Sequence, residues 1–160
     1  MFLKSYHQQQ VEAFMLRGGQ TVALTPTQPT EQDRLLRAKL IWEEAMELID
    51  ALGVQVMFDG FGLQSFDADF RAHHLLGLDL VDVIDGCCDL RVVTTGTLST
   101  IGVPDAQFQM EVDQNNLMKF GPGCTVREDG KIIKPPGHKP PRISHLLQLL
   151  EETNVSGSAP

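Results

Sequence analysis

Two acidic clusters set into otherwise apolar helical stretches restrict this chain more than any other feature. The first is Glu43-Glu44-x-x-Glu47 and the second is Asp82-x-x-Asp85-x-x-x-Asp89. At about 100° per residue, Glu44 and Glu47 fall in the arc that also carries Leu36, Leu40, Leu48 and Leu52. Asp82, Asp85 and Asp89 share one narrow stripe flanked by Leu78, Val81, Val92 and Val93. Neither stretch supplies enough Lys or Arg to pair them. Like charges buried among apolar side chains are very costly unless a cation neutralises them. The set offers neither thiol nor imidazole, so the expected ions are hard and divalent, Mg2+ or Mn2+. The alternative is a solvated acidic face, which would have Lys where these helices have Leu and Val.

Helical spacing sharpens that expectation. Glu44 and Glu47 lie one turn apart, as do Asp85 and Asp89, so each pair can reach a common ion. Packed antiparallel, two such helices make a four-carboxylate cage. Glu43 lies about 100° round from Glu44 and is placed to reach a second ion or to orient a water. A di-iron bundle would need Glu-x-x-His on two helices, and neither stretch has it.

The 160 residues amount to one domain, expected over 1–153, with 154–160 as a flexible tail. A composition of 42% hydrophobic and 21% charged residues is that of a soluble globular protein. No run approaches the roughly 20 apolar residues of a membrane span, and the polar MFLKSYHQQQ start lacks the core of a signal peptide. The three cysteines are an odd count, with Cys87 and Cys88 mid-helix, which reads as reduced core packing in a cytoplasmic protein, of the cell or of an infected host. A net charge of −8 argues against bare nucleic-acid binding and requires that cations accompany any phosphorylated substrate.

The pattern predicts helices over Leu3–Leu16, from Thr30 to Leu52, over Leu76–Ile101, from Asp105 to Phe120 and over Ile143–Glu152. Thr30-x-x-Asp33 is a capping-box variant, and Asp105 is the expected cap of the fourth helix. Val54–Phe58 alternates like a strand, and Gly60 and Gly62 suggest a turn, so residues 53–70 read as a short hairpin or a loop. Arg127-Glu-Asp-Gly130-Lys131 reads as another hairpin turn. The third helix, apolar nearly all round, should be central to the core.

Other candidates are more ambiguous. Asp113-x-x-Asn116-x-x-Lys119 shares a helix face. Lys119 can neutralise a phosphate oxygen, and Asn116 can bond a phosphate, ribose or base edge. The bland reading is a surface helix end with a favourable C-terminal lysine. Lys131-Ile-Ile-Lys134-Pro-Pro-Gly-His138-Lys139 is either a cationic arm over a polyphosphate or a proline-rich surface loop. Arg37 stands on the Glu44 face, seven residues earlier, able to pair a carboxylate or a phosphate. Trp42, Tyr6, Phe14 and Met15 read as core or dimer contacts ahead of a base-stacking pocket, and His73-His74 as an exposed loop pair ahead of ligands.

Taken together, Glu43-Glu44-x-x-Glu47, Asp85-x-x-x-Asp89 leading into Val92-Val93-Thr-Thr-Gly96, and Asn116-Leu-x-Lys119 resemble the MazG-like all-α nucleoside triphosphate pyrophosphohydrolases. The likeness runs from about Leu35 to Pro141, and residues 127–141 look like the closing arm of the phage-type, dimeric dUTPase-like branch. The family pattern reads E-x-x-E then E-x-x-D; Asp82-x-x-Asp85 keeps only its three-residue spacing. Aligning on Val-Val-x-x-Gly instead selects Asp89 and puts Gly86 where an acid would stand. Asp85 plus Asp89, with Asp82 adjacent, is the favoured reading. The resemblance implies an all-α bundle of four to five helices with a small irregular C-terminal arm, working as a homodimer or tetramer. It implies hydrolysis of a (deoxy)nucleoside triphosphate to the monophosphate and pyrophosphate with two or three Mg2+ or Mn2+ ions. Glu44, Glu47, Asp82, Asp85 and Asp89 would hold the ions. Glu43, or Glu44 if Glu43 is a ligand, would take the proton, with Glu47 essential, and Arg37, Asp113, Asn116, Lys119 and Lys134 would contact substrate. A base pocket is expected from Gln9 or Gln10 and the partner subunit. Guanine nucleotides, dGTP or GTP, are the first expectation; dUTP, dCTP and phosphoribosyl-ATP are alternatives, as is a non-catalytic nucleotide-binding helical oligomer.

Overall fold

A computed structural model describes residues 2–58, 68–72 and 78–157. Helices dominate it: α1 (Tyr6–Arg17), α2 (Glu31–Ala51), α3 (Leu80–Thr100), α4 (Asp105–Leu117) and α5 (Ile143–Gly157). A single 3-10 turn, Met118–Phe120, extends α4. The strands form two small antiparallel hairpins, β1 (Val54–Phe58) with β2 (Ala68–Ala72) and β3 (Thr125–Val126) with β4 (Ile132–Ile133). The fold class is therefore the expected all-α one. Residues group into a terminal unit, Met1–Gln28 with Leu98–Pro160, and a middle unit, Pro29–Thr97.

In the middle unit, Thr30 caps α2 as its sequence predicts. Its hydroxyl accepts from the Asp33 amide at 3.1 Å and donates to the Asp33 carboxylate at 2.7 Å. Such caps contribute about 1 kcal/mol. The strand expected at Val54–Phe58 pairs with Ala68–Ala72 in the register Val54↔Ala72 to Phe58↔Ala68. The turn expected at Gly60 and Gly62, and His73-His74, lie outside the described residues. The expectation that all of α3 is core is corrected. Val93, Thr95, Ser99 and Thr100 in its C-terminal half are buried, whereas Leu80, Val81 and Ile84 are exposed, and so are Cys87 and Cys88. An apolar pattern says that a helix wants cover on several sides; it does not say that one chain provides it.

The terminal unit is tied by contacts across long stretches of sequence. Ser5 caps α1 by accepting from the Gln8 amide at 3.0 Å. The Asp105 carboxylate in turn accepts from the Ser5 amide at 2.7 Å and the Ser5 hydroxyl at 2.5 Å. Asp105 is thus not the cap of α4: the cap position is Pro104, with no side-chain bond to the helix. The side chain of Gln8 is fully buried and fully used. It donates to the Ser99 hydroxyl at 3.1 Å and the Val103 carbonyl at 2.9 Å, and accepts from the Asp105 amide at 2.8 Å. Gly102, at φ +72°, passes so close to Thr25 that a Cβ there would lie 2.0 Å from the Thr25 carbonyl oxygen, a path closed to every other residue. The core joins Val103, Phe108 and Leu150 to Phe2, Leu98, Ile101, Leu146 and Leu147. Burying each large apolar side chain stabilises the fold by up to about 1.5–3 kcal/mol. The turn predicted at 127–131 closes through Arg127 N–H to the Lys131 carbonyl and Gly130 N–H to the Arg127 carbonyl, both at 2.9 Å. Helix α5 continues to Gly157, past its expected end at Glu152.

Candidate active site

Within the middle unit, α2 and α3 line a cavity of about 260 Å3 with Glu47, Asp50, Ala51, Asp82, Asp85, Gly86 and Asp89. Five of the seven lining residues are carboxylates, and among the described residues no Lys, Arg, His or Cys lines it. Helix geometry explains the assembly: Glu47 and Asp50 are three apart on α2, and Asp82, Asp85 and Asp89 step round α3 at three and four. Glu44 belongs to the same electrostatic group. Burial raises its proton affinity above the ordinary glutamate range, and Glu47, Asp89, Glu43 and Asp85 raise it further. Asp50 is an addition to the set expected from sequence; its three-residue step from Glu47 was the available signal.

The expected burial of these acids is corrected. Glu43, Glu47, Asp50, Asp82 and Asp85 are exposed, while Glu44 and Asp89 are half-buried. Water screens like charges well enough for them to coexist on an open face. Glu43 also lies 3.6 Å from Lys39 across one helical turn, an exposed pair worth no more than a few tenths of a kcal/mol. Among the described residues no three His, Cys, Asp or Glu side chains converge on one point as a preformed metal cage. The donor chemistry nonetheless fits a hard divalent ion, since the wall offers carboxylate oxygens alone. Arg37 does not line this cavity. It is buried on α2, where burial lowers its proton affinity and Asp33 partly restores it.

Asp113, Asn116, Lys119 and Lys134 belong to the terminal unit. Asp113 accepts from Nε2 of the Gln109 side chain at 2.8 Å, and Lys119 donates to the Asn116 side-chain oxygen at 2.6 Å. Lys134 is exposed beyond β4. The better-anchored pair on α4 is one that sequence reasoning missed, Glu111 and Asn115, one turn apart and both buried. Glu111 accepts from the Arg142 backbone amide at 2.9 Å and from its guanidinium at 3.1 and 2.9 Å. These bonds hold the Glu111 carboxyl below its usual range. Asn115 donates to the Lys139 carbonyl at 2.9 Å, and its oxygen faces His138 Nε2 at 3.1 Å. With that oxygen as acceptor, the imidazole carries its proton on Nε2. The proline-rich segment is therefore strapped to α4 along residues 138–142, and a cavity of about 390 Å3 lies under the strap.

The amides and aromatic side chains of α1 and α2 divide between buried and exposed positions. Gln8, rather than Gln9 or Gln10, is the buried amide of α1, and it is occupied by structure; Gln9 donates to the Lys4 carbonyl. Met15 is core, whereas Tyr6, Phe14 and Trp42 are exposed.

No helix among the described residues is long and apolar enough to cross a membrane. No curated protein sequence matches the chain. The family model for phosphoribosyl-ATP pyrophosphohydrolase does match, over residues 11–116. That stretch is well over half of the chain; it spans both acidic clusters, Arg37, Asp113 and Asn116, and stops short of Lys119 and Lys134. The chain belongs to the phosphoribosyl-ATP pyrophosphohydrolase family, within the all-α MazG-like superfamily, and is a pyrophosphohydrolase acting on a phosphoric anhydride bond.

Proposed function

We propose that the carboxylate wall of the middle unit binds divalent cations together with the phosphates of a nucleotide, which is hydrolysed to the monophosphate and pyrophosphate. The observation that carries this reading is the cavity of five carboxylates with, among the described residues, no basic residue in its lining. A triphosphate cannot approach such a wall unless cations come between. Glu44, Glu47, Asp82, Asp85 and Asp89 would hold them, with Asp50 at the rim. When bound, two or three Mg2+ or Mn2+ ions would neutralise phosphate oxygens and acidify a water. Glu43, or Glu44 if Glu43 is an ion ligand, would accept a proton from the attacking water. Arg37, Asp113, Asn116, Lys119 and Lys134 are the proposed contacts to substrate.

The first substrate expectation is dGTP or GTP, with dUTP or dCTP next, as in the phage-type, dimeric dUTPase-like branch. A second reading, phosphoribosyl-ATP itself, is favoured by the family whose model matches. A homodimer or tetramer is supported by the exposed Leu80, Val81 and Ile84 on α3 and Leu35 on α2. The proposed functional domain covers residues 1–153, and neither nucleic acid nor membrane is a proposed partner. The deciding experiment incubates the purified protein with each common NTP and dNTP and with phosphoribosyl-ATP, with and without Mg2+ or Mn2+, and resolves the products. Metal-dependent pyrophosphate release concentrated on one compound names the substrate. Nucleotide affinity with no pyrophosphate released overturns the catalytic reading in favour of a binding protein.

A further inference from the structure

We propose that Gly86 is a positioning residue for the cation site. By lacking a side chain it sets how closely α3 approaches α2, and so the size of the ion that the facing carboxylates take. The inference rests on the carboxylate reading above and deepens it. A Cβ placed on Gly86 would meet Cα and Cβ of Leu48 at 3.2 Å and its Cδ1 at 3.4 Å. Two of those neighbours are fixed to the backbone of α2, so they cannot swing aside as a flexible tip would. The contact lies within the acidic group: Leu48 follows Glu47, Gly86 follows Asp85, and Gly86 itself lines the cavity beside Asp82, Asp85 and Asp89. Glycine inside a helix is also a local handicap, since only proline is a poorer helix former. At this position the handicap accompanies a close approach that a Cβ would push back by a few tenths of an ångström.

Ion size follows from the gap. Mg2+ requires oxygens at about 2.0–2.1 Å in near-octahedral order, whereas Ca2+ accepts about 2.3–2.6 Å and irregular shells. Pushing α3 outward by a few tenths of an ångström therefore penalises the smaller ion first. A role in helix packing alone predicts no such discrimination.

The test compares the full-length protein with Gly86→Ala and Gly86→Val. Calorimetric titrations with Mg2+ alone and Ca2+ alone, without nucleotide, accompany a thermal midpoint taken in chelator. In Gly86→Ala, Mg2+ affinity is expected to fall by about tenfold, the scale of a disturbed supporting residue. Ca2+ affinity should fall by no more than about threefold, given its looser geometry. The midpoint without metal should hold or rise, because alanine is the better helix former, and Gly86→Val should widen the Mg2+/Ca2+ difference. Equal affinities in wild type and variant overturn the spacer role while leaving the carboxylate site standing. A parallel loss of both ions with a lowered midpoint overturns it as plain structural damage. If the wild-type protein takes up neither ion, the carboxylate reading falls and this inference with it.

Discussion

Glu44 and Glu111 are the same residue type on two helices of one chain, and their surroundings push them in opposite directions. Glu111 sits in the terminal unit under the strap, where the backbone and guanidinium of Arg142 satisfy its carboxylate and hold its proton affinity low. Glu44 sits in the middle unit among Glu47, Asp89, Glu43 and Asp85, and its proton affinity is raised. One carboxylate is already neutralised by the fold. The other belongs to a group with a standing demand for positive charge that no Lys, Arg or His among the described residues meets at the cavity. A satisfied acid builds structure; an unsatisfied wall of acids recruits cations.

The largest effect that would sharpen this contrast is Glu47→Gln. Turnover should fall by at least about a hundredfold, as expected for loss of a proposed ion ligand. The chelator-treated protein should melt no lower than wild type, because one repelling charge has gone. Steady-state pyrophosphate release and a melting curve read both, and full activity would break the contrast. Next is Glu111→Gln, which keeps the shape of the pair and removes its charge. A midpoint lower by a few degrees is expected, with faster hydrogen exchange along 138–142 and weaker effects on ion binding than those of Glu47→Gln.

The pH dependence separates the two glutamates by sign. Glu44 binds its proton more tightly in the fold than in the unfolded chain. Its contribution is therefore complete below the ordinary glutamate range and fades as pH rises through its raised folded value. Glu111 does the reverse, contributing fully above that range and losing its contribution as pH falls through its lowered value. Metal-free melting should thus peak on the acid side of neutral. Glu44→Gln should flatten the neutral limb and Glu111→Gln the acid limb; a profile unchanged by both substitutions would break the comparison. The smallest effect expected is that of Asn115→Ala, which removes two hydrogen bonds from the strap. It should shift the midpoint by less than Glu111→Gln does and increase proteolysis within 127–141.

Local signals were legible from sequence. The Thr30 cap, the Val54–Phe58 strand, the 127–131 turn and the main body of each helix all depend on neighbours within a few residues. Glu47, Asp82, Asp85 and Asp89, grouped by helical spacing, line one cavity, whose lining also takes in Asp50 and not Glu44. What spacing could not reveal is the cover over a helix face, so the acids were expected to be buried and Cys87 and Cys88 packed. Partners distant in sequence were equally hidden. Gln8 with Asp105, and Asn115 with Lys139, are meetings that no periodicity encodes, and Glu111 was passed over in favour of the exposed Asp113 and Asn116 on the same helix.

The clasp between Ser5 and Asp105, 100 positions apart, has a bearing on how the chain is made. The middle unit is one uninterrupted stretch, whereas the terminal unit is assembled from both ends of the chain. A ribosome delivers every residue of the acidic wall before it delivers the partner that Ser5 is waiting for. Pairing over such a separation is entropically slow, and domains fold as their sequence emerges. During synthesis the residues of the acidic wall come first, and Ser5, already able to cap α1 through its hydroxyl oxygen, must wait for residue 105 to take its amide and hydroxyl protons.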